Sequence, residues 1–187
     1  LPDFFGQDRL EIRQSIHPDG ERPLILAMGG SLGARTINQA ILGLEPWVRQ
    51  RQLDHLSLPR VILAAGKRQY EAVAAAGSAY GDWLEVRDYL HDIHRCYAAA
   101  DLLICRAGAL TCSEIAAAGR PAILIPYPYA AEDHQTFNAK ILTEAGAALL
   151  CPDEQFNAGW LSGQLTALLA DPARLRAMGR QALTLSR

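Results

Sequence analysis

The chain has 187 residues, half of them hydrophobic and 20% charged, with 18 Lys or Arg against 20 Asp or Glu and a formal net charge of -2. That length suits one well-filled core, and the near-balanced charge gives no electrostatic ground for binding nucleic acid. No apolar run approaches the roughly 20 residues of a membrane-spanning helix, and the first residues lack the basic patch and apolar core of a targeting segment.

Lysine is nearly absent, Lys67 and Lys140 being the only two, which reads as genome or temperature bias. Cys96, Cys105, Cys112 and Cys151 are scattered without a Cys-x-x-Cys pair, which points to reduced thiols in a cytoplasmic protein.

In chain order, residues 1–20 carry Phe4 and Phe5 side by side and end on a His17-Pro18-Asp19-Gly20 turn. The stretch reads as the tail of a linker or helix from a missing N-terminal domain, ahead of one domain over 21–187. Residues 23–28 form an apolar strand, and Gly29-Gly30-Ser31-Leu32-Gly33-Ala34-Arg35 follows as a glycine turn feeding a helix over 36–51. A strand over 60–65 ends at Gly66, and a short alanine-rich helix covers 69–76. Residues 83–89 give a strand that leads through Leu90-His91-Asp92 into a helix over 93–100. His91 and His94 share a helical face, but no Cys or third His completes a metal site there, so they read as solvated or capping side chains.

Residues 102–105 are a buried parallel strand. Residues 106–110 make a small-residue turn, Thr111 opens a helix, and Gly119 closes it. A strand over 121–125 runs into the loop 126–133, then a helix over 134–145 stops at Gly146. Residues 147–151 give the last strand, and helices follow over 157–169 and 172–183, the second with Asp171 at its N-cap and Pro172 in first position.

Strands alternating with helices imply right-handed β-α-β units, hence an α/β, Rossmann-like parallel sheet of about six strands with helices on both faces. Ligands of such sheets sit off the carboxyl ends of the strands. The turns at Ser31, at Leu90, over 106–111 and over 126–135 all lie at that end, so they can converge on one cleft.

Two of these turns open a helix, and each offers unpaired backbone N–H groups to an anion, worth roughly 0.3–2 kcal/mol toward a negative charge. Gly30 and Gly33 allow close backbone approach and Ser31 adds a hydroxyl. Taken alone this turn fits neither Gly-x-Gly-x-x-Gly nor a Walker loop, and a tight turn without ligand fits it as well. Together the two turns match the needs of a diphosphate, and the chain holds no Asp-x-Asp pair of the kind that fixes a divalent ion on a nucleotide sugar.

Glu114 lies three residues after Thr111, the spacing of a capping box, and is equally placed to accept hydrogen bonds from a ribose diol. Gln135 and Asn138 suit sugar hydroxyls, because amides donate and accept at once; they also suit the polar surface of a helix start. Arg106 pairs with a nucleotide or caps the preceding strand. Cys105 and Cys112 read as small core residues rather than nucleophiles.

The glycine turn 29–35, the run Cys105-Arg106-Ala107-Gly108-Ala109-Leu110-Thr111-Cys112-Ser113-Glu114 with its continuation to Pro121, Pro126-Tyr127-Pro128, His134-Gln135 and Asn138-Ala139 closely resemble the C-terminal half of the MurG family. The resemblance covers nearly the whole chain in order and spacing, with Leu32 where the family often has glutamine. It implies the donor half of a GT-B glycosyltransferase that moves N-acetylglucosamine from its UDP donor, without a cofactor. Carried over by position, Ser31, Thr111 and the main chain of Ala109 and Leu110 contact the diphosphate. Leu90 offers its main chain to uracil, Arg106 lies beside the nucleoside, Glu114 holds the ribose and Gln135 the sugar; Cys112, Ser113 and Asn138 complete the substrate-binding positions.

The resemblance also implies an inverting attack by the muramyl 4-hydroxyl of a lipid-linked pyrophosphate acceptor, the last step of lipid II synthesis for peptidoglycan. The acceptor site, the histidine base and the membrane-facing patch belong to the N-terminal domain. No catalytic residue and no metal are therefore expected in this chain, which alone should bind donor and transfer nothing. The complete enzyme would work peripherally at the cytoplasmic face of the membrane. The alternatives are a donor domain of another GT-B UDP-sugar transferase, or a non-catalytic nucleotide- or partner-binding module with Phe4, Phe5 and the terminal helices as its docking face.

Overall fold

The computed structural model describes residues 9–17 and 20–186. Its strands are β1 (Leu24–Met28), β2 (Arg60–Ala64), β3 (Leu84–Arg87), β4 (Leu102–Cys105), β5 (Ala122–Leu124) and β6 (Ala148–Leu150). They form one sheet in the order β3-β2-β1-β4-β5-β6, with every neighbouring pair parallel. The helices are α1 (Arg9–Ile16), α2 (Arg35–Leu42), α3 (Glu45–Leu53), α4 (Tyr70–Gly77), α5 (Ile93–Ala99), α6 (Ala109–Ala118), α7 (His134–Glu144), α8 (Ala158–Leu169) and α9 (Pro172–Thr184). The expected α/β, Rossmann-like sheet with helices on both faces is the fold observed.

Side chains alternate across a strand, so a sheet covered on both faces needs strands that are apolar throughout. In β1, Ile25 and Ala27 join one core cluster while Leu24, Leu26 and Met28 join the other. Ile37 of α2, Val48 of α3, Val73 of α4 and Leu165 of α8 cover the first face. Ile12 of α1, Tyr97 of α5, Ile115 of α6 and Leu142 of α7 cover the second. Fully burying side chains of this size contributes about 1.5–3 kcal/mol each, which is what closes the sheet between its two layers.

The chain winds outward from β1 to β2 and β3, returns to β4 beside β1, and winds outward again. Met28 and Cys105, the last residues of β1 and β4, stand opposite each other in the register. The connections leave these two strands in opposite directions, opening the crevice in which parallel sheets bind ligands.

The structure differs from the sequence expectation in three local respects. The helix expected over 36–51 is two helices, because Gly43 passes so close to α8 that a Cβ there would lie 2.7 Å from that of Ala158, and α3 then starts afresh at Glu45 with Pro46 in its first turn. The strand expected over 83–89 shortens to β3, since residues 78–83 coil tightly around Gly81 at φ 69°. The third, the start of α6, belongs to the site. The expected cap of the last helix is present, Asp171 accepting the Arg174 N–H at 2.9 Å, and Asn157 caps the helix before it by accepting the Trp160 N–H at 3.0 Å.

The stretch ahead of β1 is held to the domain. Ile12 is buried against the second core cluster, and Arg13 Nη1 donates to the Ala99 carbonyl and to Asp101 Oδ2, both at 2.8 Å. Phe4, Phe5, Pro18 and Asp19 lie outside the described residues. Among the described residues no helix is long and apolar enough to cross a membrane.

Candidate functional site

Among the described residues, two depressions lie at opposite ends of the strands. The larger, about 550 Å³, lies at the amino ends of the strands beside Pro23, Asp101 and Pro121. Its Arg13 and Arg120 donate to the last carbonyls of α5, those of Ala99 and of Tyr97 and Ala98, so they cap a helix there. The other, about 430 Å³, lies at the carboxyl ends with Met28 and Cys105 on its floor, where the fold places ligands.

Residues 29–33 form one wall of this second cleft. Gly30 and Gly33 have φ of 83° and 78°, and the Gly33 N–H donates to the Gly30 carbonyl at 3.0 Å. Gly33 backs directly onto the β2–α4 turn, where a Cβ would lie 2.0 Å from the Ala65 carbonyl oxygen. Buried Asn38 locks the contact by donating from Nδ2 to that same oxygen at 3.0 Å and to Gln69 Oε1 at 3.1 Å. The loop therefore presents Ser31, exposed, whose hydroxyl makes no hydrogen bond among the described residues, in front of the first turn of α2.

The opposite wall is the β4–α6 turn, and here the structure corrects the sequence reading. Thr111 does not open the helix: Gly108 is the N-cap, in extended conformation, and α6 starts at Ala109. Glycine takes that conformation without a side-chain cap, and Ala109 and Leu110 are good helix formers, so the helix begins two residues early. Ala109, Leu110 and Thr111 supply the three unpaired N–H groups, the first helical bond running from Cys112 to the Gly108 carbonyl at 2.9 Å. No Thr111–Glu114 capping box can form, because Thr111 is already the third helical residue. Its hydroxyl makes no bond among the described residues and faces the cleft with Gly108.

Arg106 and Gln135 close the far side. Arg106 Nη1 donates to the carbonyls of Ile125 and Pro126 at 3.1 and 3.2 Å and to Asp153 Oδ1 at 2.5 Å. Its guanidinium carbon lies 5.6 Å from the centre of the Tyr127 ring. Gln135 Oε1 accepts the N–H groups of Ala107 at 3.2 Å and Tyr127 at 2.9 Å, joining the turn after β4 to the loop after β5. Its amide nitrogen has no partner among the described residues and is available to a ligand.

Residues 24–187 match the glycosyltransferase family 28 C-terminal domain. The chain belongs to glycosyltransferase family 28. It is 42% identical over 166 residues to the UDP-N-acetylglucosamine--N-acetylmuramyl-(pentapeptide) pyrophosphoryl-undecaprenol N-acetylglucosamine transferase of Stutzerimonas stutzeri, covering 89% of this chain and 45% of that protein. The protein of the same name from Burkholderia cenocepacia is 43% identical over 173 residues, covering 86% and 45%. The crystal structure of Acinetobacter baumannii MurG superposes with a TM-score of 0.78 at 32% identity, covering 99% of this chain and 51% of that one. A UDP co-structure of S. aureus MnaA, at 14% identity and a TM-score of 0.65, shares the fold alone. The chain spans about half the length of the curated relatives it matches.

In this family 28 domain the expected site residues fall into three groups. Ser31, Arg106, Thr111 and Gln135 line the cleft together, and Ala109 and Leu110 bring their N–H groups to its edge. Leu90 and Glu114 stand at the α5 side. The Leu90 side chain is buried, and its main chain makes no hydrogen bond among the described residues. Burial holds the Glu114 carboxyl above the ordinary glutamate range, and a hydrogen bond from Tyr97 offsets this only in part.

Cys112, Ser113 and Asn138 form the third group, outside the cleft, beside a depression of about 200 Å³ between α6 and α7. Ser113 donates back to the Ala109 carbonyl at 3.0 Å, and Asn138 Nδ2 to the Ala107 carbonyl at 3.0 Å. Asn138 and Gln135 thus hold both backbone polar groups of one residue, Ala107. Burial pushes the Cys112 thiol up to about 11 and Cys105 further still, so both are neutral thiols packed in the family 28 core.

Asp153, Tyr127 and Ile93 also meet the cleft or its arginine; Tyr127 lies in the Pro126-Tyr127-Pro128 run, whereas no sequence motif singles out Asp153 or Ile93. Asp153 follows the last strand, at the ligand end of the sheet, and that position is its one signal in the sequence. Among the described residues no group of three or more His, Cys, Asp or Glu is gathered so as to hold a metal ion.

Proposed function

We propose that this cleft takes the UDP part of UDP-N-acetylglucosamine, and that the chain is the donor-binding half of an inverting hexosyltransferase converting lipid I to lipid II in peptidoglycan synthesis. The observation that carries the reading is the convergence of the glycine turn ahead of α2, the start of α6 and two unbonded hydroxyls, Ser31 and Thr111, on one cleft between β1 and β4. The names of the relatives, matched over about nine-tenths of this chain, supply the substrate.

The diphosphate would sit between the glycine turn and the start of α6, taking the N–H groups of Ala109, Leu110 and Thr111. Uracil would meet the Leu90 main chain and ribose the Glu114 carboxylate. The sugar would meet the free amide nitrogen of Gln135, whose oxygen is already committed to Ala107 and Tyr127. As the muramyl 4-hydroxyl attacks the anomeric carbon, negative charge grows on the leaving UDP. Donors already aimed at those oxygens stabilise the transition state more than the ground state. The acceptor site, the base and any contact with the cytoplasmic face of the membrane would lie in residues beyond this chain, in an N-terminal half.

Calorimetry on the 187-residue chain tests the reading. UDP and UDP-N-acetylglucosamine should bind at one site, and UDP-galactose should compete poorly. The chain alone should transfer no sugar to a lipid I analogue. Absence of UDP binding, or turnover by the chain alone, would overturn the assignment.

A further inference from the structure

We infer that Asp153 is a positioning residue of the donor cleft: it fixes the Arg106 guanidinium so that its unbonded edge is held toward the nucleotide diphosphate. The inference rests on the reading of this cleft as the UDP site.

Asp153 lies between β6 and α8, and its two oxygens do different jobs. Oδ2 accepts the Thr36 hydroxyl at 3.0 Å and Oδ1 accepts Arg106 Nη1 at 2.5 Å. Thr36 is the second residue of α2, directly behind the glycine turn. One carboxylate thus ties the helix start on one wall to the arginine on the other. The pair is largely buried, with side-chain exposures of 14% for Arg106 and 20% for Asp153, so solvent screens it little.

Among the described residues, all the hydrogen bonds of Arg106 leave from Nη1, to Asp153 and the carbonyls of Ile125 and Pro126. Nε and Nη2 have no partner among the described residues, and the planar fork makes their direction a consequence of where Nη1 is pinned. The two carbonyls carry only partial charge; Asp153 is the full counter-charge that holds the group in place. Without it the guanidinium would turn on its flexible stem toward water, and ligand binding would have to order it again.

A double-mutant cycle on UDP affinity, read by calorimetry on this chain, tests the link. Asp153→Asn should weaken UDP binding about tenfold, and Arg106→Ala should weaken it at least as much. The two together should be no weaker than Arg106→Ala alone, because Asp153 acts through the arginine. Thr36→Val keeps both charges and removes only the anchor of Oδ2. It should cost about threefold in the parent and nothing in the Arg106→Ala background, and it carries the test if Asp153→Asn does not fold. Losses that multiply in the double variant, or unchanged affinity in Asp153→Asn, overturn the inference. A parent chain that binds no UDP overturns the cleft reading itself and this inference with it; a parent that binds while Asp153→Asn binds equally well overturns this inference alone.

Discussion

The side-chain oxygen of Gln135 accepts the main-chain N–H of Ala107 at 3.2 Å, and the same oxygen takes the N–H of Tyr127 at 2.9 Å. Two loops from neighbouring strands are thereby joined through one atom. Gln135→Ala leaves both N–H groups without that acceptor, at a cost of about 2 kcal/mol, or a fall of about 4–8 °C in Tm for a domain of this size. Gln135→Glu keeps an acceptor oxygen for the loops but replaces the free NH2 donor with a negative charge. It should melt within a few degrees of the parent and bind UDP-N-acetylglucosamine at least tenfold more weakly. Differential scanning fluorimetry and calorimetry on the two variants separate the clamp from the ligand contact.

The two glycines of the first turn should answer differently to the same substitution. Gly33→Ala drives a methyl to 2.0 Å from the Ala65 carbonyl oxygen at a φ of 78°, so the loop must leave the β2–α4 turn. Gly30 has nothing within 4 Å of a Cβ, and Gly30→Ala costs only the strain of its left-handed backbone, about 1–2 kcal/mol. Gly33→Ala should lose UDP binding and melt well below Gly30→Ala; equal melting temperatures would show that the loop has room to yield.

Much of this arrangement is legible in the amino-acid sequence. Unbroken apolar strands such as 102–105 announce a parallel sheet covered on both faces, and that fold puts four particular turns at one rim. The two donor turns stand out only as a pair: either alone fits a tight turn without ligand as well, but two glycine turns that each open a helix match a diphosphate. What local pattern leaves hidden is tertiary. Nothing near Gly43 in the chain tells that it must clear Ala158, so one expected helix is in fact two. Thr111 and Glu114 have capping-box spacing, yet Gly108 starts the helix first and Glu114 meets Tyr97 instead. Asp153 reaches Arg106 from 47 residues away, a pairing that no periodicity encodes.

Glu114 gives the domain a pH signature. Burial raises its carboxyl above the usual value of about 4.3, so the folded state holds a proton there more tightly than the unfolded chain does. The group therefore costs nothing below that usual value. Its cost sets in as pH rises toward the folded value and is complete above it. Glu114→Gln removes that cost, so its melting temperature relative to the parent should climb between about pH 4 and neutrality. The amide is the weaker acceptor for a ribose diol, and UDP affinity should fall about tenfold at pH 7. A variant less stable than the parent at neutral pH would show that the carboxylate is held for structure.

The hydroxyls of Ser31 and Thr111 bond nothing else among the described residues, so removing either should leave stability untouched and act on the ligand alone. In the isolated chain Ser31→Ala and Thr111→Ala should each weaken UDP binding about tenfold, the worth of a hydrogen bond to a charged group. In a full-length transferase the effect on rate should be larger, because charge on the leaving diphosphate grows in the transition state. Loss of one preorganised donor then costs roughly 3 kcal/mol, about a hundredfold in kcat. Steady-state kinetics on full-length Thr111→Ala decides the matter: a rate near the parent's would mean that this turn does no more than start α6.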